Sequence, residues 1–149
     1  MQLTLHADYA LRVLLYLGSQ PTGTVVSTSE IGRIYGISSH HLVRVVRTLS
    51  QKGYVTASAG RAGGVMLAQN PQLIRLGDVV RTAEANLKLV ECFDAKTNTC
   101  PILPVCELKP VLAEALDAFL AVLDRYTLED LLSGRHRSRL MKVFATATD

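Results

Sequence analysis

The chain has no tryptophan and only 5% aromatic residues, and apolar runs such as Val13 to Leu17 and Phe119 to Leu123 are short. A membrane-spanning helix needs roughly 20 apolar residues, so no span is expected. Met1 leads straight into an amphipathic segment without the pattern of a signal peptide, which points to a cytoplasmic protein. Cysteine is scarce and confined: Cys92, Cys100 and Cys106 fall within fifteen residues and no other occurs. The C-x2-C knuckles typical of structural zinc are missing. An odd number of thiols in a cytoplasmic chain also disfavours a disulfide framework. Hydrophobic residues, in contrast, make up 48% of the 149 positions, enough to build the core of one globular domain.

Charge is uneven. The net charge is only +3, but residues 1–64 carry six Lys and Arg against two Asp and Glu, whereas residues 65–149 carry ten against eleven. Such asymmetry suits a polyanion-binding module joined to a neutral assembly or sensing module.

Hydrophobic period divides the chain. Leu5, Ala7, Ala10, Leu11, Leu14, Leu15 and Leu17 predict a mostly buried first helix, capped by Thr4 and stopped at Gly18. Ser27 and Glu30 have capping-box spacing for a short helix that ends at Tyr35 before Gly36. Ser38 or Ser39 then opens a longer helix with Leu42, Val45, Val46 and Leu49 on one face, and the pair reads as helix-turn-helix. Tyr54 to Ala57 and Val65 to Ala68 predict two strands around the glycine-rich Ser58 to Gly64 segment, a hairpin or wing. Helical spacing returns from Leu76 to Leu89, stops in a loop from Glu91 to Cys106, and resumes strongly from Glu107 to Tyr126. Thr127 and Asp130 offer a cap for one further short helix, and no period is evident after Ser133. The expected fold is mainly α with a small β-hairpin. Residues 1–75 form a winged helix-turn-helix domain, 76–132 a helical dimerisation segment carrying the cysteine loop at 91–106, and 133–149 a flexible tail.

A recognition helix in the major groove needs short polar side chains near its start for base edges and cations further along for phosphates. Ser38, Ser39, His40 and His41 followed by Arg44 and Arg47 meet that description, and Arg61 in the wing is placed to enter a minor groove. The partner is therefore expected to be double-stranded DNA. The apolar face from Leu108 to Tyr126 is broader than one short neighbour covers, which suggests that the same helix of a second chain packs on it in a C2 homodimer.

Three clustered thiols suit a soft metal, and iron-sulfur clusters take thiolates from looser loops than zinc does. Cys106 lies at the start of a helix, where the dipole favours a thiolate. Redox-active thiols and zinc ligation stay open on spacing alone. A four-iron cluster would lack one ligand. Asp8 in the first helix is a candidate, but Arg12 lies four residues on, and on spacing alone a surface ion pair is the better reading. The histidines, His6, His40, His41 and His136, make no pair with a cysteine that would suggest a thiol enzyme.

Several segments together resemble the bacterial iron-sulfur winged helix-turn-helix regulators, and among them the nitric-oxide-sensing repressors. They are Met1-Gln2-Leu3-Thr4 with Asp8-Tyr9-Ala10-Leu11-Arg12, Tyr35-Gly36-Ile37-Ser38, Leu49-Ser50 with Gly53-Tyr54-Val55-Thr56, and Gly63-Gly64. Ile74-Arg75-Leu76-Gly77-Asp78-Val79-Val80-Arg81, the cysteine loop and Tyr126-Thr127-Leu128-Glu129-Asp130-Leu131 complete the set, which covers nearly the whole chain. The resemblance implies a dimeric repressor with an iron-sulfur cluster, 4Fe-4S or alternatively 2Fe-2S, held by Cys92, Cys100 and Cys106. It also implies that Asp8 is the fourth ligand, supplied across the dimer, and that Arg12 couples it to the DNA-binding domain. Nitric oxide is the implied signal, and detoxification genes the implied targets. Two features depart from the family pattern: the segment between Cys92 and Cys100 is longer, and Ala59 stands where related wings often have arginine. A member of the same fold that senses cluster supply is the nearest rival. It would use a histidine just after the third cysteine, where this chain has Glu107-Leu108-Lys109-Pro110. A zinc-stabilised interaction protein is the rival of another class.

Overall fold

Short polar side chains set the helix starts in the computed structural model, which describes residues 2–58, 60 and 63–147. Thr4, Ser27 and Ser38 each accept a hydrogen bond from the backbone N–H three residues on, opening α1 (Leu5–Ser19), α2 (Thr28–Tyr35) and α3 (Ser39–Gln51). Such caps are each worth about 1 kcal/mol. Gly36, at φ 64°, ends α2 in the left-handed conformation and turns the chain into α3. The hairpin follows as β1 (Val55–Ser58) and β2 (Gly64–Leu67), antiparallel with Val55 opposite Leu67. Val26 bridges to Val65 beside it. A Cβ on Gly64 would lie 2.5 Å from the Val26 carbonyl oxygen, so this approach requires glycine.

The core forms around α1. Ala7, Ala10, Val13, Leu14 and Leu17 pack with Ile31 of α2 and with Leu42, Val45 and Leu49 of α3. Val79 of α4 (Leu76–Ala83) and Leu128 and Leu132 of α6 (Leu128–Leu132) close the cluster. Thr127 and Asp130 make the full capping box of α6. Gly18, expected to stop α1, instead lies inside the helix, where a Cβ would sit 2.6 Å from a Leu132 methyl. It serves the close approach of α1 to α6. The strands begin and end one residue from their expected bounds.

The long helix α5 (Leu108–Asp124) is tied to α4 at its C-terminal end. Both guanidinium Nη atoms of Arg81 donate to Asp124, at 2.7 and 2.6 Å, and Arg75 donates to the Asp124 carbonyl at 2.8 Å. Of the seventeen residues of α5 only Leu120 is buried. Leu108, Val111, Ala115, Ala118 and Val122 form an exposed row spaced by three and four residues, the seam spacing of paired helices.

Two expectations need correction. Helical spacing through Leu89 predicted a longer α4, but the helix ends at Ala83. Glu84 turns to extended backbone, and its carboxylate accepts from the Thr4 N–H at 2.8 Å, a tertiary bond that overrides local helix preference. The segment expected as a flexible tail forms α7 (Arg135–Thr146), whose Phe144 is 6% exposed within the core cluster. Phe144 meets Tyr16 edge-on at 4.9 Å and Tyr35 at 5.7 Å between ring centroids.

Candidate nucleic-acid interface and cysteine loop

Helix α3 is two-faced. Leu42, Val45, Val46 and Leu49 are buried, while Ser38, Ser39, His40, His41, Val43, Arg44 and Arg47 are exposed. The outer face thus offers hydroxyls and imidazoles at its N-terminal end and two guanidinium groups one and two turns on. That order suits base edges first and phosphates second. Val43, 62% exposed among them, is an apolar side chain of the kind that meets a thymine methyl. Arg61 and Ala59 of the wing lie outside the described residues.

Three free cysteines, all half-buried, lie on the segment between α4 and α5. Single 3-10 turns at Glu91–Phe93 and Leu103–Val105 frame it. The long insert between Cys92 and Cys100 is closed on itself. Glu91, beside Cys92, accepts from the Thr99 hydroxyl, beside Cys100, at 2.7 Å, and this bond holds the Glu91 carboxyl below its usual pKa. Asp94 pairs with Lys88 and accepts from the Lys96 N–H at 3.0 Å. Cys106 immediately precedes Glu107, the N-cap of α5. Three thiols free of disulfides are the donor chemistry that a soft iron centre requires. Among the described residues, however, no three His, Cys, Asp or Glu side chains of this one chain converge as a metal-binding group.

Asp8 is held by both oxygens. Its Oδ1 accepts from Arg12 Nε at 3.0 Å and its Oδ2 lies 2.8 Å from Arg12 Nη2. The same guanidinium lies 5.9 Å from the Tyr35 ring centroid. The Tyr35 hydroxyl is buried without a hydrogen-bond partner among the described residues, and burial pushes its pKa up to about 12.

The family described as Rrf2, iron-dependent transcriptional regulator, matches residues 3–134. The chain belongs to the Rrf2 family. It is 48% identical over 135 residues to the HTH-type transcriptional regulator NsrR of Bacillus subtilis (strain 168), covering 91% of this chain and 92% of that protein. NsrR of Halalkalibacterium halodurans is 50% identical over 134 residues, with 90% and 92% covered. The structure of CymR, the global cysteine regulator of B. subtilis, matches with a TM-score of 0.67 at 26% identity, covering 88% of this chain and 95% of that one. This Rrf2-family chain is thus a DNA-binding transcription regulator with a winged helix-turn-helix, not an enzyme. Among the described residues no helix is long and apolar enough to cross a membrane.

In this Rrf2 regulator the first turn of α1 also touches the recognition helix, a link that helical spacing did not reveal. His6 Nε2 lies 3.1 Å from the Thr48 hydroxyl, which itself donates to the Arg44 carbonyl at 3.2 Å. That arrangement suits an Nε2–H donor on a neutral imidazole. Burial first, and then the nearby Arg44 charge, lower the His6 pKa, opposed by Glu84. Tyr9 meets His41 at 5.7 Å between centroids. His6, His41, Arg44, Thr48 and Glu84 all line one open cleft of about 600 Å³ between α1, α3 and the end of α4. These groups come from residues some forty positions apart, so only the fold brings them together.

Proposed function

We propose that this Rrf2-family regulator is a homodimeric, cytoplasmic iron-sulfur repressor that senses nitric oxide and then releases operator DNA, derepressing genes for nitric oxide detoxification. The observation that carries the reading is the set of three free, half-buried thiols on a loop leading directly into a helix with an unpartnered apolar row. Sequence identity of 48% and 50% to two NsrR regulators supports it.

Cys92, Cys100 and Cys106 would hold the cluster, of the 4Fe-4S type, with the partner's Asp8 as the fourth donor. When bound, the cluster supplies soft iron open to attack by nitric oxide. The chain's own residues do the rest. Both oxygens of Asp8 are engaged by Arg12 in the single chain, so giving this carboxylate to a metal competes with the ion pair. Arg12 lies against Tyr35, three residues before the Ser38 cap of α3. The choice between the two roles of Asp8 therefore bears on the turn that orients the recognition helix.

Burial of Leu108, Val111 and Val122 against a second copy would contribute about 1.5–3 kcal/mol for each fully buried side chain. A C2 dimer would set two α3 helices on half-sites roughly 34 Å apart. Ser38, Ser39, His40, His41, Arg44 and Arg47, with Arg61 from the wing, would engage the DNA. The test is operator occupancy, followed by fluorescence anisotropy of a duplex bound to anaerobically purified protein as nitric oxide is added. Release of the duplex is expected, whereas continued binding at excess nitric oxide contradicts the proposal.

A further inference from the structure

Charge along this chain falls into three blocks rather than two. Residues 1–64 carry six Lys and Arg against two Asp and Glu, residues 65–134 carry six against ten, and residues 135–149 carry four against one. The two ends are basic and the middle is acidic. The fold brings the two basic ends together, because Phe144 of α7 packs on Tyr16 of α1 and on Tyr35 at the end of α2.

The α7 cations are also sorted by face. Arg137 is half-buried and turns inward with Leu140 and Phe144, and its Nη2 lies 3.3 Å from a Glu129 carboxylate oxygen. Arg135, Arg139 and Lys142, four and three residues apart, are exposed in one row on the opposite side. None of the three makes a salt bridge among the described residues, and α7 contains no acidic residue. The helix lies beyond residues 3–134, the part matched by the family.

We propose that α7 is a second DNA-docking surface, whose Arg135, Arg139 and Lys142 engage backbone phosphates beside the half-site read by α3. The proposal rests on the winged-helix reading of α3. Several observations favour DNA over an acidic protein. The row belongs to a molecule that already binds a polyanion, and it is held by a buried aromatic anchor whose neighbour Tyr35 lies three residues before the recognition-helix cap. A row of this length spans about 10 Å, and B-DNA carries one charge per about 1.7 Å of axis, so the row would face several phosphates at once. Docking on the same duplex costs little further entropy once α3 is seated, as for any linked pair of sites.

The experiment uses full-length dimer and a duplex selected by the wild-type protein from a random-sequence pool, prepared with and without flanks of about ten base pairs. Binding is measured across a salt series for wild type, for the triple variant R135Q/R139Q/K142Q, and for the charge-preserving R135K/R139K. On the flanked duplex the triple variant should bind at least tenfold more weakly, with a log–log salt slope reduced by about 0.9 for each phosphate that is no longer neutralised. On the unflanked duplex its affinity should stay within threefold of wild type, and the lysine variant should behave as wild type on both. Hydroxyl-radical footprinting of wild type, which needs no mutant to fold, should show protection outside the half-sites. Equal slopes for wild type and triple variant on the flanked duplex, or protection confined to the half-sites, would overturn the proposal. Failure of the wild type to select any duplex would overturn the α3 reading along with it.

Discussion

His6 Nε2 in the first turn of α1 lies 3.1 Å from the hydroxyl of Thr48 on the recognition helix, so a titratable group sits where the two helices meet. The His6 pKa is lowered in the folded chain, chiefly by burial and then by Arg44. A base whose folded pKa is depressed contributes stability that is present above its unfolded value, about 6.5, and is lost as pH falls through the lowered folded value. Between about pH 7.5 and 5.5 the urea midpoint of the wild type should therefore fall further than that of His6→Asn. Equal falls in the two proteins would show that His6 stays uncharged or unlinked.

Arg44→Ala should weaken operator binding and lower the log–log salt slope by about 0.9 per chain, as release of one phosphate requires. Arg61→Ala in the wing is expected to do the same. An unchanged slope for Arg44→Ala would move the DNA-facing side away from the exposed face of α3.

Phe144→Ala removes a ring that is 6% exposed and edge-on to Tyr16 and Tyr35. Buried phenylalanine truncations cost about 3–5 kcal/mol. Denaturant unfolding should show a loss of that order, whereas a flexible tail would show none.

Introducing a charge in the exposed row of α5, as in Val111→Glu together with Val122→Glu, should leave the winged domain folded and shift the protein to monomer in sedimentation. These side chains are 59% and 44% exposed in the single chain, so the core loses nothing. A persistent dimer would place the interface elsewhere.

Asp8→Ala should cost less than about 1 kcal/mol of stability, because its pair with Arg12 is solvent-exposed. The proposed ligand role predicts a changed cluster spectrum and an altered nitric oxide response. An identical spectrum with a full response would leave Asp8 as an ion-pair residue only.

Local chemistry was the legible part of this sequence. Thr4, Ser27, Ser38 and Thr127 start helices where their spacing indicates, since a cap is decided within four residues. The clustered cysteines and the two-faced pattern of α3 were equally plain. The start of α7 was hidden because Gly134, at φ 58°, precedes it without any side-chain cap, and its inward face is only Arg137, Leu140 and Phe144. The end of α4 was misplaced because Glu84 is recruited by Thr4, eighty residues away. His6 with Thr48 and Arg12 with Tyr35 were invisible for the same reason: each pair belongs to different helices, and only packing around α1 makes them neighbours.

In the proposed function, Cys92, Cys100 and Cys106 hold an iron-sulfur cluster that answers to nitric oxide. The most direct measurement is iron, acid-labile sulfide and zinc per chain in anaerobically purified protein, with the absorption spectrum followed as nitric oxide is added. Iron and sulfide each near four per chain, as a 4Fe-4S cluster requires, with bleaching of the visible bands by nitric oxide, is the predicted result. Zinc without sulfide, or a metal-free protein that still binds its operator, would contradict it.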